Sequence, residues 1–221
     1  MIERLIFDCD GVLVDSEVIA DQVLAEELAH RLPDDVDVGP MLHNTAGLTT
    51  EAILRRIGIE TGVPLLGGTL DEIEQAVDRA LAERVEALPD VDTVCRAIEL
   101  PKAVVSNSSL KRVGISLHRV GLLPLFQNRI FTADWVSHPK PAPDVYLYAA
   151  RSLRIGPRHC LVVEDSVAGV TAARAAGMSV IGFTGASHHP PDQAERLYQA
   201  GADTVIAALA ELPKLVEDRI C

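Results

Sequence analysis

The chain is short of aromatic residues, which make up 4% of it, and it has one tryptophan. Lysine is scarce as well: Lys102, Lys111, Lys140 and Lys214 are four among 20 basic residues. Against 32 acidic residues this leaves a net charge of −12, which argues against binding nucleic acid or an anionic membrane surface. The four cysteines, Cys9, Cys95, Cys160 and Cys221, are scattered without a Cys-x-x-Cys pair. That spacing supports neither a zinc site nor a disulfide framework, and free thiols in a reducing cytoplasm are expected. No apolar run approaches the ~20 residues of a membrane span, and Glu3 and Arg4 interrupt the first apolar stretch, so no signal peptide is expected. A soluble cytoplasmic protein is the resulting expectation; a monomer is expected as well.

What the chain does have is apolar residue in quantity. At 221 residues and 48% hydrophobic it can bury a sizeable core, alone or with a smaller insert. Leu5-Ile6-Phe7 reads as a short buried strand. Ser16 is placed to cap a helix from about Glu17 to His30, with Val18, Ile19, Val23, Leu24 and Leu28 at helical spacing. Helices near Thr49–Thr61 and Leu70–Ala87 follow, separated by Gly62-Val63-Pro64 and Gly67-Gly68. No strand is expected between Ser16 and Leu88. From Pro89 strands and helices alternate: strands at Lys102–Val105, Arg129–Thr132, Cys160–Val163, Ser179–Phe183 and Thr204–Ile206, and helices at Ser109–Val120, Val145–Leu153, Ser166–Ala176, Asp192–Ala200 and from Leu209. The expected fold is α/β, a doubly wound parallel sheet formed by 1–15 and 89–221, interrupted after its first strand by a helical cap at 16–88.

Four segments carry chemistry. The first strand ends in Asp8-Cys9-Asp10-Gly11, with two carboxylates where open α/β sheets bind ligands and a glycine that permits a sharp turn. Asp8 could act as nucleophile and metal ligand, and Asp10 as general acid and base. In Val104-Val105-Ser106-Asn107-Ser108-Ser109 a polar loop precedes a helix; it suits phosphate oxygens, or Ser108 or Ser109 simply caps the helix. In His138-Pro139-Lys140-Pro141-Ala142-Pro143-Asp144 the prolines hold a lysine in stiff backbone, where its ammonium could neutralise a phosphoryl group. Leu161-Val162-Val163-Glu164-Asp165 ends another strand in two acids, which with Asp8 make an oxygen-rich cluster suited to Mg²⁺. Cys9 points away from the acids, Asp15 could be a hinge or cap residue, and Trp135 and His138 pack or cap the lysine loop. His188-His189-Pro190-Pro191 reads as an exposed loop rather than a metal site, having no acid or cysteine at ligand spacing.

In order and spacing, Asp8-x-Asp10, Ser106, Lys140 and Glu164-Asp165 resemble the four motifs of the haloacid dehalogenase superfamily, over essentially the whole chain. Lys140-Pro-x-Pro-Asp144 and Glu164-Asp-Ser-x-x-Gly169 resemble its β-phosphoglucomutase and sugar-phosphate phosphatase branch, and the run from Phe7 to Glu17 is similar to 6-phosphogluconate phosphatases. The resemblance implies that Asp8 forms an aspartyl phosphate and that Asp10 protonates the leaving alcohol, then activates water. It also implies Mg²⁺ held by Asp8, the Asp10 carbonyl, Asp165 and nearby Glu164, and a phosphoryl group held by Ser106, Asn107 and Lys140. The loop Thr45-Ala46-Gly47-Leu48-Thr49-Thr50 is similar to the family's specificity loop, so Gly47 and Thr50 would face the substrate. A phosphatase of a sugar phosphate or sugar-acid phosphate is expected. The alternatives are a β-phosphoglucomutase, for which Ala20 and Thr50 replace the family's histidine and arginine unless Arg55 or Arg56 substitutes, and a silent binding module. A 2-haloacid dehalogenase conflicts with Asp10, and a phosphonate hydrolase with the lack of any lysine before Lys102.

Overall fold

A computed structural model describes residues 1–42, Thr45 and 47–220; Ala46 of the loop above and Cys221 lie outside the described residues. The chain order is β1 (Arg4–Phe7), α1 (Glu17–Ala29), α2 (Val38–Met41), α3 (Thr50–Thr61), α4 (Gly68–Arg84), α5 (Val91–Ala97), β2 (Lys102–Ser106), α6 (Leu110–Arg119), α7 (Leu123–Phe126) and β3 (Ile130–Thr132). It continues α8 (Asp144–Ser152), β4 (Cys160–Glu164), α9 (Val167–Ala175), β5 (Ser179–Phe183), α10 (Gln193–Ala200), β6 (Thr204–Ile206) and α11 (Leu212–Ile220). The strands form one parallel sheet in the order β3-β2-β1-β4-β5-β6, so the α/β doubly wound class is what the molecule adopts.

The central strand is apolar throughout because both its faces are covered. Leu5 and Phe7 join the cluster containing Val104, Val163, Ile181 and Phe126, while Ile6 joins the opposite cluster with Ala103, Val105, Val162 and Tyr146. Phe7 meets Phe126 edge-on, their ring centroids 6.2 Å apart. Phe7 pairs in register with Val104 of β2 and Val163 of β4. Glu164 therefore stands level with Asp8, and Ser106 one residue further along, so all three emerge at the same carboxyl edge of the sheet. The order of strands reverses between β1 and β4, the place where such sheets leave a crevice for ligands.

Beyond Phe7 the chain folds back, with Gly11 N–H donating to the Val14 carbonyl at 2.8 Å. Gly11 has φ +74°, and a Cβ there would come within 1.9 Å of Asp165 Oδ2, so the position requires glycine twice over. The chain leaves for the helical block α1–α4 and returns from it along adjacent paths: Asp15 N–H donates to Glu86 O at 3.0 Å, and Leu88 N–H to Leu13 O at 3.1 Å.

The structure adjusts several sequence expectations. Ser16 stands at the start of α1 but its hydroxyl makes no cap; it is drawn to Asp10 instead. The helix expected at Leu70–Ala87 runs from Gly68 to Arg84, because Val85 turns extended toward the return path. The short helices α2, α5 and α7 were not foreseen; at four to seven residues they present too little periodicity to read. Among the described residues no helix is long and apolar enough to cross a membrane.

Candidate active site

Lys140 stands at the centre of the site. Its Nζ donates to Asp8 Oδ1 at 2.7 Å, to Glu164 Oε1 at 2.6 Å and to the Val105 carbonyl at 2.9 Å. Burial alone would lower the lysine's pKa, but Asp8 and Glu164 outweigh it and hold the ammonium well above its ordinary range. The stiff proline loop is itself pinned: Asn107 Oδ1 accepts from Lys140 N–H at 2.9 Å, and Asn107 Nδ2 donates to the Lys140 carbonyl at 3.1 Å. The same amide donates to Gly47 O at 2.8 Å, tying the helical block to the sheet. The Asn107 side chain is thereby occupied.

Asp8 is 6% exposed, and its pKa is pushed well up, first by burial, with Lys140 pulling against that and the neighbouring acids adding to it. Asp10 accepts from three hydroxyls: Ser16 at 2.7 Å on Oδ1, and Ser106 at 3.1 Å and Ser108 at 2.9 Å on Oδ2. Ser109 provides the helix cap, its hydroxyl accepting from Arg112 N–H at 3.2 Å. Both readings of the serine loop therefore apply, to different serines.

Glu164 is fully buried, and both its oxygens are engaged. Oε1 accepts from Lys140 and from Tyr146 Oη at 2.9 Å; Oε2 accepts from the backbone of Asp165 and Ser166 and from Ser166 Oγ. Gly169 faces this carboxylate so closely that a Cβ would lie 1.7 Å from Oε1. Asp165 is 3% exposed. Burial raises its pKa, but hydrogen bonds and charge from His188 and His189 prevail and hold it below the usual carboxylate range. Gln193, at the start of α10, also reaches it, its side-chain amide donating to the Asp165 carbonyl.

This corrects the reading of His188-His189 as an exposed loop. Their side chains are only 10% and 4% exposed and stand against Asp165, because the loop after β5 folds inward at the sheet's carboxyl edge. Acids at ligand spacing in sequence are no guide here, since Asp165 comes from another strand. His138 lies outside the site, paired with Asp144 at 3.0 Å, and Trp135 packs edge-on against Tyr148 at 5.5 Å.

Oxygens of Asp8, Glu164 and Asp165 lie within 4.8 Å of one another. With Asp10 beside them and a single ammonium inside the cluster, this buried, carboxylate-rich donor set fits a hard dication such as Mg²⁺. Next to it is a cavity between the helical block and the sheet, lined by Asp10, Glu17, Ala20, Thr50, Ser108 and Arg112 among others. Arg112, which no local motif marks, reaches into it from α6 and pairs with Asp78 of α4 at 2.9 Å; its Nη1 also lies 3.2 Å from Thr50 Oγ1. Burial beside Asp10 and Asp165 holds the Glu17 carboxyl well above its ordinary pKa, against a Gly47 N–H bond that lowers it. Gly47 has φ +78°, and a Cβ there would lie 2.6 Å from Ser166 Oγ. Arg55 faces outward, paired with Glu51 at 2.5 Å, and Arg56 donates to the Met41 carbonyl.

Residues 2–177 match the family model for haloacid dehalogenase-like hydrolases. The chain belongs to that family. A solved haloacid dehalogenase-like protein of unknown function from Agrobacterium tumefaciens is 40% identical, covers all of both chains and superposes with a TM-score of 0.84. The 6-phosphogluconate phosphatase of Escherichia coli is 28% identical over 219 residues, 99% of this chain and 96% of that one. The fructose-1-phosphate phosphatase of the same organism is 35% identical over 185 residues, 80% of this chain and 94% of its own.

Proposed function

We propose that this hydrolase is a Mg²⁺-dependent phosphatase of a small phosphorylated polyol, a sugar phosphate or sugar-acid phosphate, acting through an aspartyl phosphate on Asp8. The observation that carries the reading is Lys140 Nζ bridging Asp8 and Glu164 directly beside an Asp10 held by hydroxyls. A carboxylate and an ammonium fixed together in a buried pocket suit attack on a phosphoryl group whose charge must be neutralised.

An Asp8 oxygen adds to phosphorus as the bond to the leaving oxygen breaks, and Asp10 gives that oxygen its proton. Asp10 then takes a proton from water as the water oxygen adds to the same phosphorus. The bond to Asp8 breaks, releasing inorganic phosphate and restoring the carboxylate. Ser106 Oγ, the N–H of Asn107 and Lys140 hold the phosphoryl oxygens. Asp8 and Asp165, with the Asp10 carbonyl, would hold Mg²⁺, which would supply charge neutralisation for the phosphoryl oxygens. Glu164, its oxygens spent on Lys140, Tyr146 and the β4–α9 turn, acts by fixing the ammonium.

The segment 16–88 serves as a cap over a core of 1–15 and 89–221, hinging where the outgoing and returning segments pair beside Asp15 and Leu88. The cavity beside Asp10 takes the leaving alcohol, with Glu17, whose carboxyl burial pushes well above its ordinary pKa, in position to meet a hydroxyl. Gly47 and Thr50 approach it from the cap. The phosphatases to which the chain is similar act on phosphorylated sugars or sugar acids, and the cavity offers Glu17, Asp21, Thr50 and Ser108 to hydroxyls on a lining that also includes Leu24, Ile53, Val77 and Leu81. Ala20 and Thr50 line the cavity where a mutase would carry a histidine and an arginine, and Arg55 and Arg56 are engaged elsewhere, which favours water as acceptor.

A panel of phosphorylated metabolites assayed for phosphate release with Mg²⁺ tests the reading. Turnover concentrated among sugar and sugar-acid phosphates is expected. Release from none of them, or conversion of β-glucose 1-phosphate to glucose 6-phosphate without free phosphate, would contradict it.

A further inference from the structure

We propose that Asp165, His188 and His189 form a binding site for a borderline dication of the zinc class, beside the all-oxygen cluster and sharing Asp165 with it. Nε2 of His189 lies 3.0 Å and Nε2 of His188 3.4 Å from the same Asp165 oxygen, Oδ2. Ligands about 2.0–2.1 Å from a tetrahedral Zn²⁺ are separated from one another by about 3.3 Å, so the spacing is that of a preformed ligand face. The two rings converge, with centroids 4.2 Å apart and planes tilted by 55°.

A hydrogen-bonded support for Asp165 accounts for His189 at 3.0 Å more readily than for His188, whose Nε2 contact with the same oxygen is long at 3.4 Å. The other nitrogen of His188, Nδ1, has no hydrogen-bond partner, although the side chain is 10% exposed. A buried imidazole with one nitrogen unpaired and the other in a long contact points to an absent ligand, since burying it poorly bonded is costly. Two imidazoles and one carboxylate are the donor set that borderline metals select, whereas the neighbouring all-carboxylate group suits Mg²⁺.

The surroundings hold the face in place. Gly11 backs it so tightly that a Cβ would approach His188 Cε1 to 3.0 Å as well as striking Asp165. Asp15, whose Oδ1 is buried without a partner, attracts the charge of His189 and stands as an outer acid of the kind that orients ligating histidines. On the other side the histidines border an open groove that includes Asp21, Thr171 and Asp192, which provides an entry path and room for a water at the remaining position. Because Asp165 belongs to both groups, a metal held by the histidines changes the ligands left for Mg²⁺. The binding site itself stands independently of the phosphatase reading.

Full-length protein, stripped of metal and then saturated with Mg²⁺, is titrated with Co²⁺ while visible d–d absorption and the proton NMR signals of the histidines are followed. One equivalent should bind with an absorption band of imidazole-ligated Co²⁺ and displace two imidazole resonances paramagnetically, and Zn²⁺ should bleach the band. His188→Ala and His189→Ala should each lose it, with unchanged circular dichroism. Should either variant fold poorly, the wild-type NMR shifts decide. A band that persists in both folded variants, or stoichiometric Co²⁺ that shifts no buried imidazole, would overturn the assignment and leave the histidines as supports of Asp165.

Discussion

Asn107 holds Gly47 and Lys140 with one side chain: its Nδ2 donates to the Gly47 carbonyl at 2.8 Å and to the Lys140 carbonyl at 3.1 Å. A contact from the helical block is thus made on the same amide that fixes the ammonium beside Asp8. One amide therefore links the helical block to the loop that places the positive charge.

Gly47→Ala tests that link. The left-handed backbone costs a residue with a Cβ roughly 1–2 kcal/mol, and the new methyl would meet Ser166 Oγ at 2.6 Å. Expected is a loss of about tenfold in kcat/KM, together with a fall of a few degrees in Tm from the strain. Wild-type kinetics in Gly47→Ala would show that this approach is not needed for turnover.

Asp10→Asn should bind substrate yet turn over roughly 10²–10⁴-fold more slowly, the range for a lost general acid–base group. Aryl phosphates, whose leaving groups need little protonation, should suffer less than alkyl phosphates. Equal losses for both would count against Asp10 as the leaving-group acid.

Metal dependence should follow pH in a definite sense. Asp8 is pushed well above its ordinary pKa in the metal-free site, so below that raised value Mg²⁺ must displace a proton to bind. Apparent Mg²⁺ affinity should rise with pH until Asp8 is ionised and level off above it. The same shift means the metal-free fold holds a proton that the unfolded chain has released, so its stability falls as pH rises from the unfolded value through the raised one. Mg²⁺ titrations across mildly acidic to neutral pH measure this directly, and affinity independent of pH would refute it. Activity should vanish in chelator and return with Mg²⁺.

Much of this arrangement was legible in the sequence, and what was not has a physical reason. Apolar runs ending in acids or small polar residues placed Asp8, Ser106 and Glu164 at strand ends, because a buried parallel strand cannot be anything but apolar and its ligands gather at its carboxyl end. The lysine was conspicuous through its prolines. Ser16, Ser108 and Tyr146 carried no such mark: each joins the site through a hydroxyl aimed by tertiary contacts, and as sequence they read as caps or core. Arg112 is one arginine on an amphipathic helix until Asp78 and Thr50 meet it from the helical block. His188 and His189 lay 23 and 24 positions from their acid, beyond any local ligand spacing.

Asp8→Asn should fold with native circular dichroism and release no phosphate, since an amide cannot form the acyl phosphate. Wild-type-like release from the folded variant would remove Asp8 from the nucleophile's role.

The most direct measurement of the central claim is reductive trapping on the wild-type enzyme. The protein is mixed with Mg²⁺ and a turned-over sugar phosphate, quenched in acid during steady state, treated with borohydride and mapped by peptide mass spectrometry. An acyl phosphate on Asp8 would be reduced to homoserine at position 8, in samples that received substrate and not in those without it. Active turnover with residue 8 unmodified, or with the reduction at another acid, would contradict the account.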